Sequence, residues 1–134
     1  MNERSIRSLS LSTIALARQF GIRVTAEQVE EKISRGHISS QNDLEQTFKE
    51  QGIKLQYLKP ALRTLIERSY YFPCVATLKD GTSRILISCK VNEQNIAEFQ
   101  TIDPLDPTNK VVVENETEFK SSWNGAVFLV SRET

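Results

Sequence analysis

One histidine, His37, and two cysteines, Cys74 and Cys89, are the only imidazole and thiols in this chain of 134 residues. A serine or cysteine nucleophile needs a neighbouring base to take its proton, so the position of that single imidazole bounds the covalent chemistry available. His37 falls in the loop-like run Ser34-Arg35-Gly36-His37. A lone loop histidine is without the further ligands that a metal site requires, and it reads as a solvated residue. Cys74 and Cys89 sit in apolar, strand-like stretches and read as buried, reduced thiols, with a redox pair across neighbouring strands as the alternative. Ser8 reads as a helix N-cap, and Asp103, before Pro104, as a turn residue. Taken residue by residue, these groups read as structural.

Composition narrows the partners. Seventeen Lys plus Arg balance seventeen Asp plus Glu, so there is no long-range field to gather phosphates or an anionic membrane surface, and a nucleic-acid role is disfavoured. The length suits one domain over residues 1–134, burying roughly two thirds of its unfolded surface without help from a disulfide or metal. No secretory signal is read: Leu9 to Phe20 is interrupted by Ser10, Ser12, Thr13, Arg18 and Gln19. No stretch is apolar for long enough to span a bilayer.

The elements that must position these residues divide the chain in two. The first half has helical periodicity: a central helix from about Ser8 to Phe20, ended by Gly21; a second after a Thr25/Gln28 capping box, with Val29 and Ile33 on one face and Gly36 as its stop; a third after Ser39 and Ser40, with Leu44 and Phe48 and a stop at Gly52. The second half alternates with period two. Strands are expected at Ile53 to Tyr57, Cys74 to Leu78, Ser83 to Val91, Ile96 to Ile102, Lys110 to Val113 and Ala126 to Val130, with a helical or turn segment after Pro60 and a hairpin at Asp80-Gly81. Glu27 to Lys32 and Glu114 to Lys120 read as solvated helix faces. The order implies an α+β domain with N-terminal helices packed on a C-terminal antiparallel sheet.

Together these features resemble the double-glycine leader peptidase family, the papain-like cysteine peptidase domains of bacteriocin-exporting ABC transporters, over nearly the whole chain. In that family the catalytic Cys-Gly stands thirteen residues before a glycine that ends the central helix; counting back from Gly21 gives Ser8-Leu9. The family histidine opens the second strand of a hairpin after Asp-Gly, and in Asp80-Gly81-Thr82-Ser83-Arg84 that position is Ser83, with Arg84 as the alternative. The orienting carboxylate matches Asp103 of Asp103-Pro104, and the oxyanion glutamine corresponds to Asn2. Phe119, Trp123 and Gly125, then Ala126 to Val130, match the closing helix and last strand. Only the carboxylate of the catalytic set is kept.

The resemblance therefore implies a degenerate, inactive peptidase domain of the kind found at the N-terminus of haemolysin-type exporters in type I secretion. It would lie at the cytoplasmic face of the bacterial inner membrane, joined to the rest of an ABC transporter that binds ATP. Its partner would be the unfolded secreted polypeptide, such as a calcium-binding repeat protein, and the domain itself would need no cofactor. Tyr57, Tyr70, Tyr71 and Trp123 are candidates for contacting that polypeptide, although Phe72 and Trp123 are first expected in the core and the Tyr70-Tyr71 pair is expected to be extended, with one ring outside. Two other readings remain: an active leader peptidase with an unexpected nucleophile, and a stand-alone adaptor or oligomerisation domain.

Overall fold

The computed structural model describes residues 2–133, with every side chain among them except that of Tyr70. The helix-then-strand order is present: α1 (Glu3–Gln19), α2 (Ala26–Ser34), α3 (Gln41–Glu50), β1 (Ile53–Leu58), α4 (Leu62–Glu67), a 3-10 turn (Ser69–Tyr71), β2 (Cys74–Leu78), β3 (Ser83–Val91), β4 (Ala97–Ile102), β5 (Val111–Asn115), α5 (Glu116–Ser122) and β6 (Trp123–Arg132). The strands form one antiparallel sheet in the order β1-β6-β2-β3-β4-β5. The last strand is thus inserted beside β2, next to the middle of the sheet.

Two cores lie on opposite faces of that sheet. On one, α1, α2 and α3 bury Leu9, Val29, Leu44 and Phe48 against Ile53, Val75, Ile85 and Phe128. On the other, Leu65 of α4 and Phe119 of α5 pack with Leu86, Phe99, Trp123 and Val127. Alternation along β2 serves both, since Val75 enters the first core while Cys74 and Ala76 enter the second. Phe48, Phe99, Phe119 and Phe128 are fully buried, each worth about 1.5–3 kcal/mol in transfer from water.

Helix α1 starts earlier than its apolar pattern indicates. Asn2 is its N-cap, with Oδ1 accepting from the Ser5 N–H at 2.8 Å, so Ser8 is an interior helical residue and not the cap. The start is masked because Ser5, Ser8, Ser10, Ser12 and Thr13, polar and mediocre helix formers, occupy buried positions that an apolar period would fill. The proposed capping box of α2 does not form: the Thr25 side chain makes no capping bond, and its N–H donates to Gln51 Oε1 at 2.8 Å. Ser40 caps α3 through the Asp43 N–H.

The C-terminal elements also differ from their expected bounds. Glu114 and Asn115 belong to β5, and Asn115 then opens α5 through a capping box with Glu118, so the charged run is two residues of strand followed by five of helix. Strand β6 begins three residues early, at Trp123. The Tyr70-Tyr71 segment is a 3-10 turn, which removes the alternating geometry expected of it.

Candidate functional site

The turn between β2 and β3 sets the geometry at the start of β3. Asp80 Oδ1 accepts from the Thr82 N–H at 2.8 Å and from its hydroxyl at 2.6 Å, which holds the Asp80 carboxyl below its ordinary range. Gly81 takes φ +88° and lies so close to α1 that an added Cβ would stand 2.7 Å from Ser5 Oγ. Glycine is required there both for the backbone angle and for the approach. This contact seats the first residue of β3 against the first turns of α1.

Ser8 and Ser83 meet at that point. The Ser83 N–H donates to Ser8 Oγ at 2.7 Å, and Ser8 Oγ donates to the Ser83 carbonyl at 3.1 Å. Both residues are buried, Ser8 completely. The cause is the sheet register: the last β3–β4 pair is Ile85 with Ile102, so the main chain of Ser83 extends past the end of β4 and has no strand beside it there. One hydroxyl, able to donate and to accept, satisfies both orphan main-chain groups. Its proton and a lone pair are thereby committed to the fold.

The other sequence-selected residues do not complete a charge-relay arrangement around this pair. Asp103 is a turn residue, its Oδ1 accepting from the Leu105 N–H at 2.9 Å, and its ion-pair partner is Arg84, at 3.5 Å. Arg84 also donates to the Ser83 carbonyl at 3.2 Å. Asn2, matched to the oxyanion residue, spends its side-chain oxygen capping α1. His37 is exposed in the loop after α2. Among the described residues no cluster of three or more His, Cys, Asp or Glu could hold a metal ion.

Neither thiol is poised as a nucleophile. Cys74 and Cys89 are free; burial pushes the Cys74 thiol up to about 12, and burial followed by the nearby Glu116 carboxylate pushes Cys89 up to about 11. Both pack against the second core, and β2–β3 register pairs Cys74 with Leu86, so the cross-strand redox pair is not formed.

Two concavities flank this centre. A cavity of about 300 Å³ is lined by Lys79, Asp80, Arg84, Thr101 and Glu114 with Phe119. The Glu114 carboxyl there is raised, first by burial; Arg84 opposes the rise and Glu118 adds to it. A larger, mainly apolar groove of about 450 Å³ runs between α1 and α2, bounded by Leu11, Ile14 and Ile33 and rimmed by Arg7, Glu27 and Glu30. Leu11 is 44% exposed there, and Arg7 is paired with Glu3 and Glu30. Helical periodicity does not reveal this groove, because it marks the apolar positions of α1 without showing which side α2 leaves open.

The aromatic candidates separate. Trp123 is 6% exposed, stacks on Phe119 and donates Nε1–H to the Ala126 carbonyl at 2.8 Å, so it is a core residue and is withdrawn as a binding residue. Tyr71 is half-buried against the second core. The Tyr70 side chain lies outside the described residues. Tyr57 is accessible, its ring tilted on Phe128 at 5.1 Å and facing the Lys59 ammonium at 5.8 Å.

Helices packed on both faces of an antiparallel sheet, with the first turns of the central helix abutting the start of a hairpin strand, define a papain-like peptidase architecture. The model of the Peptidase C39 family matches residues 2–134, and the chain belongs to that family. Solved structures agree on the fold. A double glycine motif protease from an AMS/PCAT transporter, in complex with the leader peptide, superposes with TM-score 0.70 at 18% identity, covering 93% of this chain and 83% of that one. The peptidase domain of Streptococcus ComA, a bi-functional ABC transporter involved in a quorum sensing pathway, gives 0.72 at 17% identity over 99% and 95% of the two chains. The N-terminal peptidase C39 like domain of the toxin secretion ATP-binding protein from Vibrio parahaemolyticus gives 0.67 at 20% identity over 94% and 97%. A comparison with curated protein sequences returned no match. No helix among the described residues is long and apolar enough to cross a membrane.

Proposed function

We propose that this chain is a non-catalytic C39 domain that holds an unfolded secreted polypeptide for an ABC exporter of the type I secretion class, and does not cut it. The observation that carries the reading is the Ser8–Ser83 contact: the hydroxyl that the resemblance matches to the nucleophile is buried and bonded in both directions to main chain of the residue it matches to the base, itself a serine. Both hydrogen bonds of Ser8 Oγ are to main chain, which offers no base to take its proton, and Asp103 has Arg84 to orient in place of a histidine.

Loss of chemistry leaves peptide recognition intact, because extended polypeptides are held by sheet edges and apolar pockets that need no nucleophile. The α1–α2 groove offers an apolar floor, and Tyr57 on the edge strand β1 offers a ring next to unpaired backbone. The likeness to a domain solved with a leader peptide, and to one from a toxin secretion protein, supports the same direction. On this reading the domain works at the cytoplasmic face of the inner membrane beside the transporter's spans and ATPase, and its substrate is an unfolded chain such as a calcium-binding repeat protein.

The test is an endpoint cleavage assay with double-glycine leader peptides, run on the native chain and on Ser8→Cys. Neither is expected to release product, since Ser83 supplies no base to either nucleophile. Cleavage by the native chain that disappears in Ser8→Ala, Cys74→Ser or Cys89→Ser would overturn the non-catalytic reading.

A further inference from the structure

Strand β5 ends the sheet, pairing with β4 alone, and it is the least protected strand in the molecule. Val111, Val112 and Val113 are 52%, 38% and 53% exposed, so both faces of the strand are apolar and open beside a row of free backbone groups. Edge strands are ordinarily blunted by charges, proline or a covering element, and a three-valine edge without these invites pairing with another strand. The sequence around it is Lys110-Val111-Val112-Val113-Glu114. That run reads as its own complement.

We infer that β5 is a self-association edge: two copies of this chain pair β5 to β5, antiparallel and centred on Val112. In that register Val112 faces Val112 of the second copy, Val111 faces Val113, and Lys110 faces Glu114. Each face of the joined strands is then satisfied. One carries two Val111–Val113 pairs; the other carries a Val112 pair flanked by two opposite-charge pairs, the arrangement cross-strand neighbours favour. Every facing pair joins residues zero, two or four apart in number, so the backbone groups that β4 leaves free meet their counterparts whichever alternate set they are. A two-fold axis through Val112 also makes the contact isologous and closed, giving a dimer in which neither copy's β5 is left for further addition.

The charge pattern selects this occupant over an arbitrary extended peptide. A generic partner strand needs no lysine and glutamate at equal distances from the centre, whereas a two-fold contact does. The contact is small, of the transient class below roughly 1,200 Å², so association is expected at high concentration and when copies are held near one another. It is independent of peptide holding, which the α1–α2 groove and β1 would serve.

The test is sedimentation of the whole chain with concentration raised to the millimolar range, together with disulfide trapping. The native chain is expected to shift reversibly toward the mass of two copies. Lys110→Glu and Glu114→Lys should each remain single chains, since each places like charges opposite, and an equimolar mixture of the two should recover the association. Under mild oxidation Val112→Cys should form a covalent dimer, while Val111→Cys, whose facing residue is Val113, should not exceed the native background from Cys74 and Cys89. A native chain of constant single-chain mass, or trapping of Val111→Cys as readily as Val112→Cys, would overturn the inference. So would β5 resonances that respond to an added unfolded polypeptide but not to the chain's own concentration.

Discussion

At the scale of single residues, two serines four positions apart on α1 carry opposite consequences. Ser8 Oγ closes two main-chain bonds at Ser83, whereas Ser12 Oγ is fully buried with no hydrogen-bond partner. Removing a buried partner leaves the other group unsatisfied at about 1–3 kcal/mol, while removing an unsatisfied hydroxyl relieves such a cost. Ser8→Ala is therefore expected to lower unfolding free energy by about 1–3 kcal/mol, and Ser12→Ala to leave it unchanged or raise it by up to about 1 kcal/mol. Urea titrations of both variants give the comparison; equal losses in the two would contradict the hydrogen-bond assignment. The thiols offer a second check. With Cys89 moved to about 11 by burial and Glu116, and Cys74 to about 12 by burial, both stay protonated at neutral and mildly alkaline pH. Iodoacetamide should label the native chain at least about tenfold more slowly than the urea-unfolded chain at pH 8. Matching rates would mean that one cysteine is exposed and activated.

Among the elements, the β2–β3 hairpin is the one that fixes the site, and it was also the most legible in sequence. Asp80-Gly81 between two β-branched runs announces its own turn, and the observed strands coincide with Cys74 to Leu78 and Ser83 to Val91. Gly81→Ala should destabilise by about 1–3 kcal/mol, through its positive φ and its contact with Ser5. Adding Ser5→Ala should return only the contact's share; full recovery in thermal melts would show that the backbone angle carries no strain. Other features were hidden for physical reasons. The start of α1 is written in a polar cap and buried hydroxyls, which give no apolar period. The β5–α5 junction is written in Glu114 to Lys120, where strand and helix use the same charged residues and only the Asn115–Glu118 box marks the change. That Ser83 offers its main chain and Arg84 takes Asp103 depends on where β4 stops, and no local pattern encodes it.

For the molecule as a whole, the fold of a C39 peptidase is maintained by two cores that make no use of a catalytic triad. The residues that the resemblance matches to catalytic positions have structural partners: Asn2 caps a helix, Ser8 joins a helix to a strand, and Asp103 shapes a turn and pairs with Arg84. What remains open is surface suited to polypeptide, namely the α1–α2 groove and the β1 edge of the sheet. The central claim is that such surface binds an unfolded chain and returns it intact. The most direct measurement is a residue-resolved NMR titration of the isotope-labelled domain with a secreted calcium-binding repeat polypeptide, added once unfolded without calcium and once folded with it, with the polypeptide's mass read at the end. Selective shifts with the unfolded form alone, at residues lining the α1–α2 groove or around Tyr57, together with an unchanged polypeptide mass, are the predicted result; equal silence toward both forms, or a shortened polypeptide, would contradict the account.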